Sequence, residues 1–343
     1  MLPRLFDVPP NSPEKIFTLR EASFACDLFT TAVSHFDFFN WLAKSPADID
    51  TICRELNINN RPADVMLTLF KAYGFIVEKA GKFYLTDTAR QYLLKESGFD
   101  LSSYVASLKN RPICGDMKKV LLTGKPANWA ADRDGKDWAA AMEDDAFAES
   151  FTAGMNSRGA YLASGVVKAV NLKQYKNLLD IGGASGIYAA AFVMAFPHLN
   201  ASVFEKPPVD KVARYSLKRL KLNEKIGIVA GDVFKDTLPD DYDVHFISHV
   251  LHDWDLPEVK TILQNSYRHL KPGGMIILHD AHINKDKTGP LSVAEYSVLL
   301  MFLSEGKCYS IGEMQDLLEE AGFREIKYQP TILNRSVITG RKR

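Results

Sequence analysis

The chain has 343 residues, 46% hydrophobic and 24% charged, an ordinary globular composition whose length suggests two domains. Lys plus Arg and Asp plus Glu are tied at 42 each, so the formal net charge is zero, which argues against a dedicated nucleic-acid binder and a polybasic membrane-surface protein. The longest nearly unbroken apolar run, residues 188–196, is less than half of a bilayer span. Met1-Leu2-Pro3-Arg4-Leu5-Phe6 lacks the apolar core of a signal peptide. Cys26, Cys53, Cys114 and Cys308 lie far apart with no C-x-x-C pair. That spacing predicts neither a zinc site nor a disulfide framework, but four small core residues in a reducing cytoplasm.

The front of the chain is helical. Residues 17–43 carry an apolar helical pattern, and Ser45-Pro46 then supplies a cap and a first-turn residue. Ile49, Ile52, Cys53 and Leu56 recur at helical spacing. Asn60-Arg61-Pro62 starts another helix, with Val65, Met66, Leu69 and Phe70 inward and Gly74 closing it. Phe75-Ile76-Val77-Glu78 and Lys82-Phe83-Tyr84-Leu85, joined through Ala80-Gly81, predict a hairpin. Helix, helix, helix, hairpin is the order of a winged helix.

A winged helix raises DNA binding. Its recognition helix would run over residues 62–73, with only Arg61 at its start, Lys71 at its end and an apolar middle. Base readout needs Arg, Asn or Gln near the N-terminal turn. Asn59, Asn60 and Arg61 supply little of that, and the wing adds only Lys79 and Lys82. A packing or dimerisation module is the better expectation.

Residues 100–170 are mostly helical, interrupted by Gly124-Lys125-Pro126 and Asp132-Arg133-Asp134-Gly135. From Leu172 onward, strands alternate with helices. The strands are Asn177-Leu178-Leu179-Asp180-Ile181, Ser202-Val203-Phe204-Glu205, Ile226-Gly227-Ile228-Val229, Val244-His245-Phe246-Ile247 and Met275-Ile276-Ile277-Leu278. That rhythm predicts an α/β, doubly wound, Rossmann-like parallel sheet. Glu325-Ile326-Lys327-Tyr328 and Ser336-Val337-Ile338-Thr339 follow without a helix between them and predict a closing antiparallel hairpin.

After the first of these strands comes Asp180-Ile181-Gly182-Gly183-Ala184-Ser185-Gly186. Glycines here let the backbone approach a ligand at a helix N-terminus. The dinucleotide fingerprint G-x-G-x-x-G does not fit this loop. An acid at the strand tip would repel a pyrophosphate but attract the ammonium of an amino-acid-bearing ligand. S-adenosylmethionine carries that ammonium and a sulfonium, and no phosphate. Glu205, 19 residues beyond Gly186, is placed to accept ribose hydroxyls. Asp232, in Gly231-Asp232-Val233-Phe234, is placed at the adenine edge. Three acids at the carboxyl ends of successive strands form the cofactor expectation. The alternative is that Asp180 and Asp232 only cap the segments that follow them.

These residues resemble the small-molecule O-methyltransferases related to plant caffeic acid and animal acetylserotonin O-methyltransferases and their bacterial natural-product relatives. The resemblance runs from the winged-helix front through Leu121-Leu122-Thr123-Gly124-Lys125-Pro126 and Phe151-x-x-x-Met155. It continues through Asp180-x-Gly182-Gly183-x-x-Gly186, Gly231-Asp232-Val233-Phe234, Leu251-His252-Asp253-Trp254, Leu270-Lys271-Pro272-Gly273-Gly274 and Glu319-Glu320-Ala321-Gly322-Phe323. It implies a winged-helix dimerisation domain over 13–100, a helical connector over 101–170 and an S-adenosylmethionine-binding domain over 171–343. It also implies a homodimer acting on a small aromatic hydroxyl, with no metal, nucleic-acid or membrane partner.

A phenol with a pKa of about 10 is mostly protonated at neutral pH, so a positioned base assists methyl transfer. The resemblance assigns that base to His252, with Asp253 counted in the site and Asp280 orienting the imidazole where many relatives carry Glu. The plant enzymes hold a second Glu where Ile311 stands here. Ser310-x-x-Glu313 instead predicts a capping box, so no second catalytic acid is carried over.

By the same resemblance, the cofactor set is Asp180, Gly182, Gly183, Gly186, Glu205, Asp232, Val233, Ser248 and Trp254. Ser248 stands where the plant enzymes carry Lys, and Trp254 is either an adenine wall or a core residue. Phe151, Met155, Met301 and Phe302 are the acceptor-lining candidates, although helical Phe and Met equally suit a core.

His245, His249, His252, Asp253, His279, Asp280 and His282 follow no known metal-ligand spacing. His245 and His249, an even number apart, are expected on one side of a strand. Histidines other than His252 are expected in local hydrogen bonds or packing. Two other classes fit these residues less well: a cofactor-binding member with hydroxylase- or decarboxylase-like chemistry, disfavoured by His252, Asp253 and Asp280, and a winged-helix regulator, disfavoured by the charge balance.

Overall fold

The computed structural model describes residues 10–127 and 144–343, so the expected Asp132–Gly135 loop lies outside the described residues. These residues divide into two compact units. One comprises chiefly 144–282 and 311–343, and the other 13–127 and 283–310. The second unit thus recruits a segment from beyond residue 171.

The front unit begins with α1 (Glu14–Glu21), α2 (Ala25–His35) and α3 (Phe38–Lys44). The continuous apolar pattern over 17–43 is therefore three helices. Asp37 breaks the second from the third by taking a left-handed backbone (φ 48°), which Asp tolerates better than most residues. Its carboxylate accepts from Asn40 Nδ2 and pairs with Lys95, both at 2.9 Å.

Helix α4 (Ile49–Leu56) is capped by Asp48, which accepts from Thr51 N at 2.8 Å. This corrects the expectation that Ser45-Pro46 is the cap. Helix α5 (Asn60–Ala72) ends at left-handed Gly74. Strands β1 (Ile76–Lys79) and β2 (Lys82–Leu85) form the expected antiparallel hairpin, with Ala80 and Gly81 both at positive φ. Phe29, Phe38, Phe39, Phe70 and Phe75 form an aromatic core with contacting centroids 5.2–6.5 Å apart.

Short helices α6 (Asp87–Tyr92) and α7 (Ser102–Ala106) lead to α8 (Pro112–Thr123). Arg61, the strongest base-reading candidate, is buried and donates to the Gly306 and Gly124 carbonyls. Lys71 is engaged by Glu78 and the Asp286 carbonyl. Cys114 and Cys308 are buried as expected, whereas Cys53 is half-buried and Cys26 is exposed, which corrects the expectation of four core cysteines.

The other unit opens with α9 (Asp145–Ala169), capped by Asp144. It continues with β3 (Asn177–Ile181), α10 (Ile187–Ala195), β4 (Asn200–Glu205), α11 (Val209–Arg219), β5 (Ile226–Ala230) and β6 (Val244–Ser248). A single turn (Leu251–Asp253), α12 (Leu256–His269) and β7 (Met275–Asp280) follow. The chain then enters the front unit with α13 (Leu291–Leu303) and returns through α14 (Ile311–Ala321), β8 (Arg324–Pro330) and β9 (Ser336–Arg341).

The sheet order is β5-β4-β3-β6-β7-β9-β8. The five strands β3 to β7 are parallel, and the final pair runs antiparallel as expected. Every residue of β7 is buried, as a strand covered on both faces requires. The chain steps outward from β3 to β5 and then reverses to β6, so a switch point lies between the carboxyl ends of β3 and β6. Among the described residues, no helix is long and apolar enough to cross a membrane.

Candidate functional site

The glycine loop leaves β3 at this switch point. Gly182 is left-handed (φ 69°), and a Cβ there would lie 2.7 Å from Val250 Cγ2, on the loop that follows β6. A Cβ on Gly183 would lie 2.6 Å from the Asp180 carboxyl carbon. Gly186 (φ 75°) caps α10. Ser185 donates to Asn156 Oδ1 at 2.9 Å, which ties the loop to α9.

Asp180 is buried. Its Oδ2 accepts from Ala189 N at 3.2 Å, while Oδ1 has no hydrogen-bond partner among the described residues. Capping therefore satisfies one oxygen and leaves the other bare. Burial pushes the carboxyl up to about 7, with nearby Glu205 adding to the rise. Glu205, at the end of β4, accepts from Ala184 N and Lys206 N, both at 2.8 Å. Burial also raises Glu205 to about 7. Asp180, buried, and Glu205, half-buried, thus stand beside one loop with both carboxyls held above their ordinary range.

Asp232 follows β5 and is only half-buried. Its Oδ1 accepts from Phe234 N at 2.9 Å, shaping the local turn, and Oδ2 lies 3.7 Å from Lys235 Nζ. Val233 is half-buried in the same turn. Trp254 packs edge-on against Phe234, with centroids 4.6 Å apart. Ser248 pairs with His279 Nδ1 at 2.9 Å, not with a charged group.

The histidine loop leaves β6. His252 Nδ1 lies 2.7 Å from Asp280 Oδ1, and Asp253 Oδ1 lies 3.8 Å from His252 Nε2. Burial opposes a charged imidazole, but Asp280 and Asp253 together outweigh it and hold His252 above its ordinary value. Burial likewise opposes the Asp280 charge, yet His252 and His249 override it and keep the carboxyl well below the usual range.

The remaining histidines divide. His245 meets Ser266 Oγ at 2.9 Å, and His282 meets Ser336 Oγ at 2.7 Å. Burial lowers His245 and His279 to about 3 and His282 to about 4. His249 does not share a strand face with His245, because β6 ends at Ser248 and His249 turns left-handed (φ 54°). Its Nδ1 comes within 3.2 Å of Asp280 Oδ1. His249, His252 and Asp280 each bring one ligand-type atom within 4.8 Å of the others.

Phe151 stacks with Phe147 at 6.2 Å in a cluster that includes Ala148, Val209 and loop residue Ala184. Met155 is half-buried on the same helix. Met301 and Phe302 belong to the other unit. Met301 is fully buried, and Phe302 stacks on Phe24 at 4.4 Å. Asn156 and Arg158 were not anticipated. The Arg158 charge is felt at His249, His252 and His279, and its only sequence signal is a cation three residues beyond Met155 on one helix face.

The family model for the O-methyltransferase domain matches residues 116–324. The chain belongs to this O-methyltransferase family. Its relatives include 3-hydroxy-5-methyl-1-naphthoate 3-O-methyltransferase of Streptomyces sahachiroi, 27% identical over 87% of this chain and 86% of that one. Among solved structures, the O-methyltransferase family 2 protein of Planctomyces limnophilus in complex with apigenin has a TM-score of 0.89 at 26% identity, covering 100% and 99% of the two chains. Human N-acetylserotonin methyltransferase in complex with SAM shares the fold, with a TM-score of 0.61 at 21% identity over 98% and 99%. Family membership makes the chain a methyltransferase of small molecules and fits the mostly parallel sheet described above.

Proposed function

We propose that this O-methyltransferase transfers a methyl group from S-adenosylmethionine to a hydroxyl of a small aromatic acceptor, with His252 as the base. The observation that carries this reading is the 2.7 Å contact between His252 Nδ1 and Asp280 Oδ1 at the sheet's switch point. When bound, the cofactor supplies an electrophilic methyl carbon on a sulfonium.

The residues present fit it. Asp180 offers a bare, buried carboxylate oxygen suited to an ammonium, and each Glu205 oxygen has a lone pair left for a ribose hydroxyl. Gly182, Gly183 and Gly186 keep side chains out of the loop, while Asp232, Val233, Ser248 and Trp254 stand at or beyond the carboxyl ends of β5 and β6, the sheet edge from which that loop also leaves. Two of the solved relatives were captured with SAM or SAH.

His252 Nε2 takes the hydroxyl proton as the acceptor oxygen becomes the nucleophile, and Nδ1–H donates to Asp280 throughout. Asp280 stabilises the imidazolium that forms. Phe151 and Met155 offer the acceptor an apolar wall, whereas the burial of Met301 and Phe302 favours a core role. A naphthoate-methylating relative and an apigenin-bound one support an aromatic acceptor.

Helices α3 to α5 with the β1–β2 hairpin act as a winged-helix dimerisation module. Ile16, Leu19, Phe99 and Tyr104, all more than half exposed, supply apolar surface for a second copy in the cytoplasm. The direct experiment incubates the protein with methyl-labelled S-adenosylmethionine and a panel of phenols, indoles and quinols. Label in an organic-soluble product supports the reading, and no label with any acceptor, despite cofactor binding, contradicts it.

A further inference from the structure

Building on the proposed role of His252, we propose that His249 is a positioning residue that holds Asp280 by the same carboxylate oxygen that orients His252. Asp280 Oδ1 meets three nitrogens: His252 Nδ1 at 2.7 Å, Ala281 N at 2.8 Å and His249 Nδ1 at 3.2 Å. The third contact is close but poorly aligned, as catalytic hydrogen bonds often are before substrate binds.

His249 is placed for this by its backbone rather than by strand alternation. It follows β6 directly, takes φ 54°, and its N–H donates to the His279 carbonyl at 3.0 Å. The ring stands 5.3 Å from His252 and 5.1 Å from His279, almost fully buried, and Nε2 has no hydrogen-bond partner among the described residues. Asp280 Oδ1, 3.2 Å from Nδ1, is a close polar neighbour of this ring, and the Arg158 charge also acts on it.

The groups facing this cluster set the chemistry. Burial, with Arg158 and His279 nearby, holds His249 neutral against the pull of Asp280. His252 faces Asp280, Asp253 and Arg158, and Asp280 also acts on His282. A neutral imidazole reaches a carboxylate only through a protonated Nδ1, leaving Nε2 as the bare acceptor. That donor draws charge from Oδ1, so Asp280 retains the His252 proton less strongly than it would alone. His249 thereby steadies the orienting carboxylate and keeps the base able to release its proton.

The test is the pH profile of kcat/KM for His249→Leu, His249→Asn and His249→Gln beside the wild type. Leu removes the donor, Asn puts an amide N–H near the Nδ1 position and tolerates the left-handed backbone, and Gln puts it near Nε2. His249→Leu is expected to lower kcat about tenfold and move the acid limb up by about one pH unit, with cofactor affinity within about twofold. His249→Asn is expected to keep the wild-type limb, and His249→Gln to follow Leu. If Leu does not fold, the Asn and Gln contrast decides.

Wild-type limbs in every folded donor-removing variant, or equal displacement by Asn and Gln, overturn the proposal. His252→Ala, measured alongside, separates the two claims. Retained turnover there removes the base and this inference together, whereas lost turnover with unmoved His249 limbs removes only the inference.

Discussion

Replacing Asp180 by Asn removes a charge and almost no volume from the switch point. The wild-type carboxyl is buried, has one bare oxygen and titrates near 7 instead of 3.8, because burial disfavours its charge. At 1.36 kcal/mol per pH unit, that rise corresponds to about 4 kcal/mol of strain once the group ionises in the folded, cofactor-free protein. The folded state binds the proton more tightly than the unfolded one. The wild type therefore loses stability as pH rises from about 4 to 7, and the loss levels off above 7. Asn still accepts from Ala189 N and carries no such dependence.

The stability gap between Asp180→Asn and wild type is expected to move in favour of Asn by about 2–3 kcal/mol between pH 5 and pH 8, by denaturant unfolding without cofactor. In the same variant, calorimetric affinity for S-adenosylmethionine is expected to fall at least about a hundredfold, because a buried partner for the ammonium is gone. Parallel stability at both pH values would refute the burial argument. Cofactor binding within about threefold of wild type would refute the ammonium contact.

Gly183→Ala sets a methyl against the Asp180 carboxyl carbon at 2.6 Å and is expected to weaken cofactor binding at least about tenfold, by calorimetry, in any folded protein recovered. In wild type, kcat/KM is expected to fall as pH drops through a value above 6.5, since His252 is raised and a protonated imidazole accepts nothing. Asp280→Asn removes the main attraction on that proton, so the acid limb should move to lower pH while kcat also falls. Phe302→Ala deletes the partner of Phe24 and is expected to cost about 3–5 kcal/mol in unfolding measurements, with the acceptor KM little changed.

The sheet was legible because its strands are short apolar runs between helical segments of regular length. All seven strands lie where the pattern puts them, and the final hairpin pairs as expected. The glycine loop, Asp180 and Glu205 were legible for a related reason: a doubly wound sheet sends the ends of successive strands to one edge, whereas the pairing of His252 with Asp280 came from the family resemblance.

What stayed hidden depends on backbone angles and distant contacts. Asp37 breaks a helix by adopting a left-handed conformation that apolar periodicity does not register. His249 leaves the strand's alternation for the same reason, so even spacing from His245 misdirects it. Asp232 has the right residue type, but its oxygens go first to its own turn and to Lys235. Asn156 and Arg158 reach the site from a helix 25 residues long, on which no local pattern separates them from surface polar residues.

The central claim is that His252 removes the acceptor's proton. It is tested most directly by single-turnover methyl transfer with His252→Ala, using an acceptor identified for the wild type and calorimetric cofactor binding in parallel. The account predicts S-adenosylmethionine affinity within about twofold of wild type and a methyl-transfer rate lower by about two orders of magnitude or more. A rate within about threefold of wild type at pH 7.5, with the acceptor hydroxyl still protonated in solution, would contradict it.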